Sequence, residues 1–244
     1  MTTAPRVARP RLTELGDQVR RVLPRPPAEV VDAGGGTGQL SVPLAADGWT
    51  VTVVDPSAAM LATCLERAAD LGPEVGARLR AIQGDADQVT ELLGPESADA
   101  ALCHGVLEVV ADPAAVVATL ARVLRPGGVL SLIAVNRARL ATRAARRGDY
   151  TEALRLLDDP VVQGGRSRQL GQGSRAWTAQ ELRPWLLAAG LEVAGEYGLR
   201  AFADAPPDAD TDQLEARHEL ERRAADREPY RSLAEFLHLV ARQP

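Results

Sequence analysis

The chain has 244 residues, an apolar fraction of 45% and a formal net charge of −5, which suits one α/β domain with an inserted or appended piece. No run of about 20 apolar residues is present, so no membrane span is expected, and the N-terminus lacks the apolar region of a signal peptide. Cys64 and Cys103 stand alone, without C-x-x-C spacing, and read as reduced thiols of a cytoplasmic protein.

In chain order, Leu12–Leu23 reads as a short helix closed by the Pro24–Pro27 stretch, and Val30–Ala33 as the first strand. Leu40–Ala46 begins a helix, Thr50–Asp55 is a β-branched strand ending in an acid, and Ser57–Leu71 is helical. Leu79–Gln83 is a third strand leading into Gly84–Asp87. Ala98–His104 is a fourth, apolar enough for the centre of a parallel sheet. Asp112-Pro113 opens a helix through Leu124, with proline at a first-turn position where its missing N–H costs little. Arg125–Gly128 then turns the chain into a fifth strand, Val129–Val135. Thr178–Ala189 and Asp212–Ala225 are later helices, with strands near Leu191–Tyr197 and Phe236–Ala241. Alternating strands and helices imply right-handed crossovers and a Rossmann-like, doubly wound, mostly parallel sheet of about seven strands with helices on both faces.

The most informative stretch is Val30–Gln39, VVDAGGGTGQ. A buried strand ends in an acid and breaks into glycines, which let a backbone approach a ligand where a Cβ would clash. The helix that follows favours negative charge at its N-terminus. A dinucleotide fingerprint requires G-x-G-x-x-G. Counted from Gly34 or Gly36, the last position falls on Gln39 or Ser41, so the match fails. D-x-G-G-G-x-G instead resembles motif I of the class I S-adenosylmethionine (SAM) methyltransferases.

Ligands of such sheets sit outside the carboxyl ends of the strands, which places the acids ending the first two strands well. Asp55 is the acid expected to accept hydrogen bonds from both ribose hydroxyls, and Asp32 is expected to orient the loop and the methionine amino group. Met60 is either a wall for the adenine or an ordinary core residue. After the third strand, Asp85 and Asp87 are both placed to read the adenine edge, and the sequence does not choose between them. His104 falls at the carboxyl end of the fourth strand, where cofactor and acceptor meet.

The string Cys103–Pro113 (CHGVLEVVADP), the VLRPGGVLSL segment at Val123–Leu132, Asn136, and the C-terminal GLRAF and REPYRSL segments are together similar to one family. That family is the bacterial tRNA 5-carboxymethoxyuridine methyltransferases, and the resemblance runs from about Val30 to Pro244. In it, the methyl group of SAM goes to the carboxylate of a modified uridine at the tRNA wobble position. The resemblance implies a cofactor site of Gly34, Gly35, Gly36, Asp55, Ala86, Asp87 and His104. It implies acceptor positioning by Asn136, Arg200 and Tyr230, joined by His104 from its place at the strand end, and because a carboxylate is already ionised at neutral pH no residue is expected to act as general base. The family's longer N-terminal region carries a motif that caps the cofactor; in Met1–Pro27 only Arg20 and Arg21 offer themselves for that role.

The expected organisation is a short segment, 1–27, before a methyltransferase domain, 28–244. Within that domain, 137–175 forms an Arg-rich insert or lid, and 203–232 an acidic helical segment before the last strand. All 28 basic residues are Arg, with no Lys, so a single Arg is a weak signal. Clustering says more: 137–175 holds nine Arg against four acids, whereas 203–228 holds nine acids against four Arg. The Arg137–Arg147 and Arg166–Arg175 stripe reads either as a phosphate-binding face for tRNA or as a solvated helix face. Two other functions compete with tRNA carboxyl methylation: a small-molecule carboxyl- or O-methyltransferase, and a non-catalytic SAM- or tRNA-binding protein. No metal is expected, because no cluster has ligand spacing and His218 and His238 stand apart in the chain.

Overall fold

The computed structural model describes residues 10–162, 174–202 and 209–244. Arg166 and Arg168 of the basic stripe, and Asp204 and Asp208 of the acidic segment, lie outside the described residues. The strands are β1 (Glu29–Ala33), β2 (Thr50–Asp55), β3 (Leu79–Gln83), β4 (Ala98–His104), β5 (Leu124–Val135), β6 (Val161–Val162), β7 (Ser174–Arg175), β8 (Glu192–Leu199) and β9 (Phe236–Arg242). The helices are α1 (Pro10–Val22), α2 (Ser41–Ala46), α3 (Ala58–Asp70), α4 (Pro73–Ala77), α5 (Val89–Leu93), α6 (Pro113–Val123), α7 (Arg137–Arg146), α8 (Tyr150–Asp158), α9 (Ala179–Ala188), α10 (Thr211–Ala224) and α11 (Tyr230–Leu233).

Seven strands form one sheet in the order β3-β2-β1-β4-β5-β9-β8. Strands β1 to β5 pair in parallel, and β9 runs antiparallel to both β5 and β8. The chain winds outward from β1 to β3 and returns to β4 on the other side of β1. The strand order therefore reverses between β1 and β4, and the crevice at their carboxyl ends is where such a sheet takes its ligand.

The alternation of side chains divides the core between the two faces. Val31, Ala33, Ala101, Cys103, Leu130 and Leu132 pack beneath α6 and α9. Val30, Val51, Val53, Leu102, Val129 and Ile133 pack with residues of α1, α2 and α3. Val19 and Leu23 belong to this second cluster, so α1 and the residue after it pack on the same core as the strands.

The Arg125–Gly128 turn lies inside β5 rather than before it. Ala98 pairs with Leu124 and Ala100 with Val129, so the intervening residues bulge out of the ladder, with Gly127 at φ +78. The described start of the Arg-rich segment is a helical hairpin, α7–α8, with its own small apolar contact of Ala141, Ala144 and Leu156. Asn136 starts α7 by accepting the N–H of Ala138, and Asp149 starts α8 by accepting that of Glu152. Among the described residues no helix is long and apolar enough to cross a membrane.

Candidate active site

The glycine loop is tied to the end of β2 and, at its far side, to itself. Gly34 N–H donates to Val54 O at 2.7 Å, Gly36 N–H to Asp55 Oδ2 at 3.0 Å, and Gly38 N–H to Gly35 O at 3.0 Å. Three of the loop's donors are thus satisfied within the protein, and the close approach that glycine provides there is steric. At Gly36 (φ +55) a Cβ would stand 3.5 Å from Met60 Sδ and 3.8 Å from Asp55 Oδ2, filling the space between them. That bare cradle beside an acid and an exposed thioether is the feature that fits a nucleoside. At Gly34 (φ +73) a Cβ would lie 2.4 Å from Val106 Cγ2, which closes the loop against the chain that follows β4.

Asp55 ends β2 almost fully buried and accepts twice from the backbone, from Gly36 N on Oδ2 and from Ser57 N at 2.9 Å on Oδ1. Each carboxylate oxygen keeps a second lone pair for a ribose hydroxyl. Asp32 is buried in β1, accepts a short hydrogen bond from Ser41 Oγ, and stands against Gly35, where a Cβ would meet its carboxylate. Burial pushes its carboxyl up to about 6; the Ser41 bond opposes that rise and the neighbouring Asp55 charge adds to it. Met60 is 46% exposed on the first turn of α3, so it is not a core residue. Ala86 is buried, while the Asp85 and Asp87 side chains are exposed on either side of it; Gln88 Oε1 holds the Asp85 N–H at 3.0 Å. Arg20 is tied at 2.7 Å to Asp47, the C-cap of α2, while Arg21 carries no ion pair among the described residues.

His104 ends β4 partly buried, and its Nε2 lies 2.9 Å from Ser131 Oγ of β5. The same hydroxyl lies 2.9 Å from Nε2 of His238 in β9. His238 stands far away in the sequence but not in space. The β5–β9 ladder pairs Ile133 with His238, and the two histidine rings meet edge to face at 6.3 Å. Burial pushes both imidazoles down to about 3, which keeps them neutral. Among the described residues no group of three or more His, Cys, Asp or Glu side chains is arranged to hold a metal.

The C-terminal segments converge at this same end of the sheet. Asn136 is buried after β5 and donates Nδ2 to Ser232 O (2.9 Å) and Ala234 O (2.8 Å) while capping α7. Its amide is therefore engaged in holding β5 to the segment before β9, rather than open to an acceptor. Arg200 has φ +59, follows β8 and pairs with Glu235 at 3.1 Å. Tyr230 is 44% exposed and lies against Phe202, with ring centroids 5.4 Å apart. Glu221 of α10 accepts the N–H groups of Ala201 and Phe202 at 2.9 and 3.1 Å, locking the GLRAF segment in place.

Several residues of this end take roles that the sequence did not assign to them. Glu108 is buried, accepts Val135 N–H at 2.6 Å through Oε1, and has no partner at Oε2 among the described residues. Burial lifts its carboxyl to about 7 against the opposing pull of the Val135 N–H. Arg137 is buried and paired with Glu181 at 2.9 Å, and Arg175 donates to Val110 O at 2.9 Å. Arg155 pairs with Glu152 and Asp159. Arg137 is thus bonded in the interior, while Arg155 and Arg175, half-buried, are engaged by adjacent acids and by a backbone carbonyl. Arg139, Arg143, Arg146 and Arg147 remain on α7 and its C-cap without an ion pair among the described residues, and the last three are exposed.

Comparison with known proteins agrees with this geometry. Residues 31–130 match a methyltransferase domain family. The tRNA 5-carboxymethoxyuridine methyltransferase of Escherichia coli is 36% identical over 239 residues, covering 96% of this chain and 84% of that protein. The ubiquinone biosynthesis O-methyltransferase of Xylella fastidiosa is 32% identical over 75% of this chain and 69% of its own length. Among solved structures, a SAM-dependent methyltransferase from Mesorhizobium loti superposes with a TM-score of 0.65 at 22% identity, over 93% of this chain and 96% of that one. The sheet order, the glycine cradle and the near full-length similarity lead to one conclusion: this chain is a class I SAM-dependent methyltransferase and belongs to the tRNA 5-carboxymethoxyuridine methyltransferase family.

Proposed function

We propose that this protein methylates the carboxylate of 5-carboxymethoxyuridine at the tRNA wobble position, and does so in the cytoplasm. The observation that carries this is the 36% identity reaching over 96% of the chain, because it includes the elements after β5 as well as the cofactor half. SAM supplies an electrophilic methyl group on a sulfonium centre. In this reading Asp55 accepts from the ribose hydroxyls, Asp32 faces the methionine amino group, and the bare Gly36 cradle beside Met60 admits the nucleoside. Ala86 and Asp87 meet the adenine.

The acceptor needs little chemical help. A carboxylic acid ordinarily loses its proton near pH ~4 and is ionised at neutral pH, so no proton has to be removed before transfer. What the chain contributes is alignment of one oxygen and exclusion of water. Arg200 is the candidate for that alignment: Glu235 holds its guanidinium, whose planar fork suits a carboxylate. Exposed Tyr230, whose ring lies against Phe202, offers a face on which a base can stack. The Arg143, Arg146 and Arg147 face of α7, next to exposed Tyr150, supplies charge for tRNA phosphates.

The test is mass spectrometry of nucleosides from tRNA carrying the free-acid wobble uridine, incubated with the purified protein and SAM. Conversion of the acid to its methyl ester is expected. An unaltered nucleoside profile, with SAM bound, overturns the assignment and favours a metabolite acceptor.

A further inference from the structure

A polar chain crosses three strands on the face of the sheet that carries Asp32 and Asp55. His104 Nε2 and His238 Nε2 approach the one Ser131 hydroxyl from opposite sides, each at 2.9 Å. Ser131 and His238 are fully buried, whereas His104 is partly exposed at the crevice end. A hydroxyl has one proton to give, so it donates to one ring and accepts from the other. Both rings are neutral, and each therefore carries a single N–H.

Two arrangements satisfy that count. If His104 donates to Ser131 and Ser131 to His238, then His238 carries its proton on Nδ1. That nitrogen is buried and has no partner among the described residues, so a donor is left orphaned. If His238 donates Nε2–H to Ser131 and Ser131 donates to His104, the orphan is only a lone pair. His104 then carries Nδ1–H; it is the partly exposed member of the chain, and its Nδ1 is not among the buried unpartnered atoms of the described residues. Buried N–H groups without partners are rarer in proteins than under-satisfied acceptors, and the second arrangement avoids one.

We propose that Ser131 and His238 are positioning residues that hold His104 as its Nδ1–H tautomer, making it a neutral hydrogen-bond donor and not a base at the crevice. The inference about substrate class rests on the carboxylate-methylation reading above. With Nε2 engaged by Ser131 and Nδ1 already protonated, His104 has no lone pair with which to take a proton from a hydroxyl acceptor. It can donate to one oxygen of a carboxylate, and being uncharged it leaves that oxygen's partner nucleophilic. The transfer then forms an oxygen–carbon bond and breaks a sulfur–carbon bond, whose electron pair stays on sulfur, with no proton to move. The relay thus selects ionised acceptors over hydroxyls.

Two-bond proton–nitrogen correlation spectra of 15N-histidine-labelled protein, recorded without cofactor, report the tautomer directly. His104 is expected as Nδ1–H and His238 as Nε2–H. In Ser131→Ala or His238→Phe, His104 is expected to lose its fixed state and shift toward Nε2–H. An Nε2–H His104 in the unmodified protein overturns the proposal, and so does a tautomer that neither variant moves. In methyl-transfer assays Ser131→Ala is expected to lower kcat by about tenfold or more at nearly constant KM for SAM, with Ser131→Thr restoring most of it. An unchanged kcat overturns the role in transfer. If the unmodified protein methylates no wobble uridine, the functional reading fails while the tautomer result stands or falls by itself.

Discussion

The two halves of the sheet build their parts of the site in different ways. On the β1–β3 side the two acids take their hydrogen bonds from nearby in sequence: Asp55 reaches Gly36, 19 residues away, and Ser57, 2 residues away, and Ser41 reaches Asp32 over 9. On the β4–β5–β9–β8 side the contacts span the chain: Ser131 meets His238 across 107 residues, and Asn136 meets Ala234 across 98. The first half is held by one loop and its flanking strand ends. The second exists only when the antiparallel β9 is seated between β5 and β8. A cofactor site of this type can be carried by a compact segment, whereas the acceptor side depends on the whole sheet.

The largest effect is expected where the halves touch. Gly34 lies at φ +73, and a Cβ there would lie 2.4 Å from Val106 Cγ2. Gly34→Ala combines a left-handed backbone that costs an L-residue about 1–2 kcal/mol with overpacking of about 1–3 kcal/mol. Thermal denaturation should show a loss of about 2–5 kcal/mol, and calorimetry should show weakened SAM binding. A variant with unchanged melting temperature and SAM affinity would mean that the seam is loose and the halves independent.

A pair of substitutions separates the halves. Asn136→Ala leaves the carbonyls of Ser232 and Ala234 without their donor and removes the cap of α7. About 2–3 kcal/mol of stability should go with it, and the acceptor KM should rise with SAM affinity little altered. Asp55→Ala should do the reverse, weakening SAM binding by about 1–3 kcal/mol and leaving tRNA affinity in place. Equal losses on both readouts from either variant would erase the distinction.

The same contrast explains what could be read from the sequence. Strand ends and the motif around Gly34–Gly38 are local patterns, so β1 to β4, α3 and α6 emerge close to their observed bounds. The convergence of GLRAF with REPYRSL was legible only as a family resemblance, because Arg200–Glu235 and Phe202–Tyr230 are tertiary contacts. His238 reads as an isolated histidine because its partner is supplied by the β5–β9 register. Charge counting likewise groups Arg137, Arg155 and Arg175 with the α7 surface, although each is bonded into the interior or to adjacent acids. Composition records how many charges a segment has, and only packing decides which of them face water.

The smallest expected effect comes from Glu108, and it carries a sign that tests the acceptor side through pH. Burial raises its carboxyl from 4.5 to about 7. The folded state therefore holds a proton that the unfolded chain has already lost between those two values. By linkage, the stability that Glu108 contributes is fully present below 4.5 and is lost as pH rises through 7. Gln at this position keeps an oxygen for Val135 N–H and cannot ionise. Its NH2 group is as unpartnered as the protonated Oε2 of the native carboxyl, so the two side chains should be nearly equivalent at pH 5. At pH 8 Glu108→Gln should be the more stable by about 1–2 kcal/mol, read as a rise in melting temperature. His104 and His238 carry the opposite sign. Their imidazoles fall from 6.5 to about 3, so their contribution is present above 6.5 and is lost as pH drops. In the native protein the Glu108 gain partly offsets that loss between pH 7 and 5, and without it the acid side of the stability curve should steepen. Superimposable native and Glu108→Gln curves from pH 5 to 8 would show that Glu108 does not titrate as a buried group, and that this end of the sheet is open to water in solution.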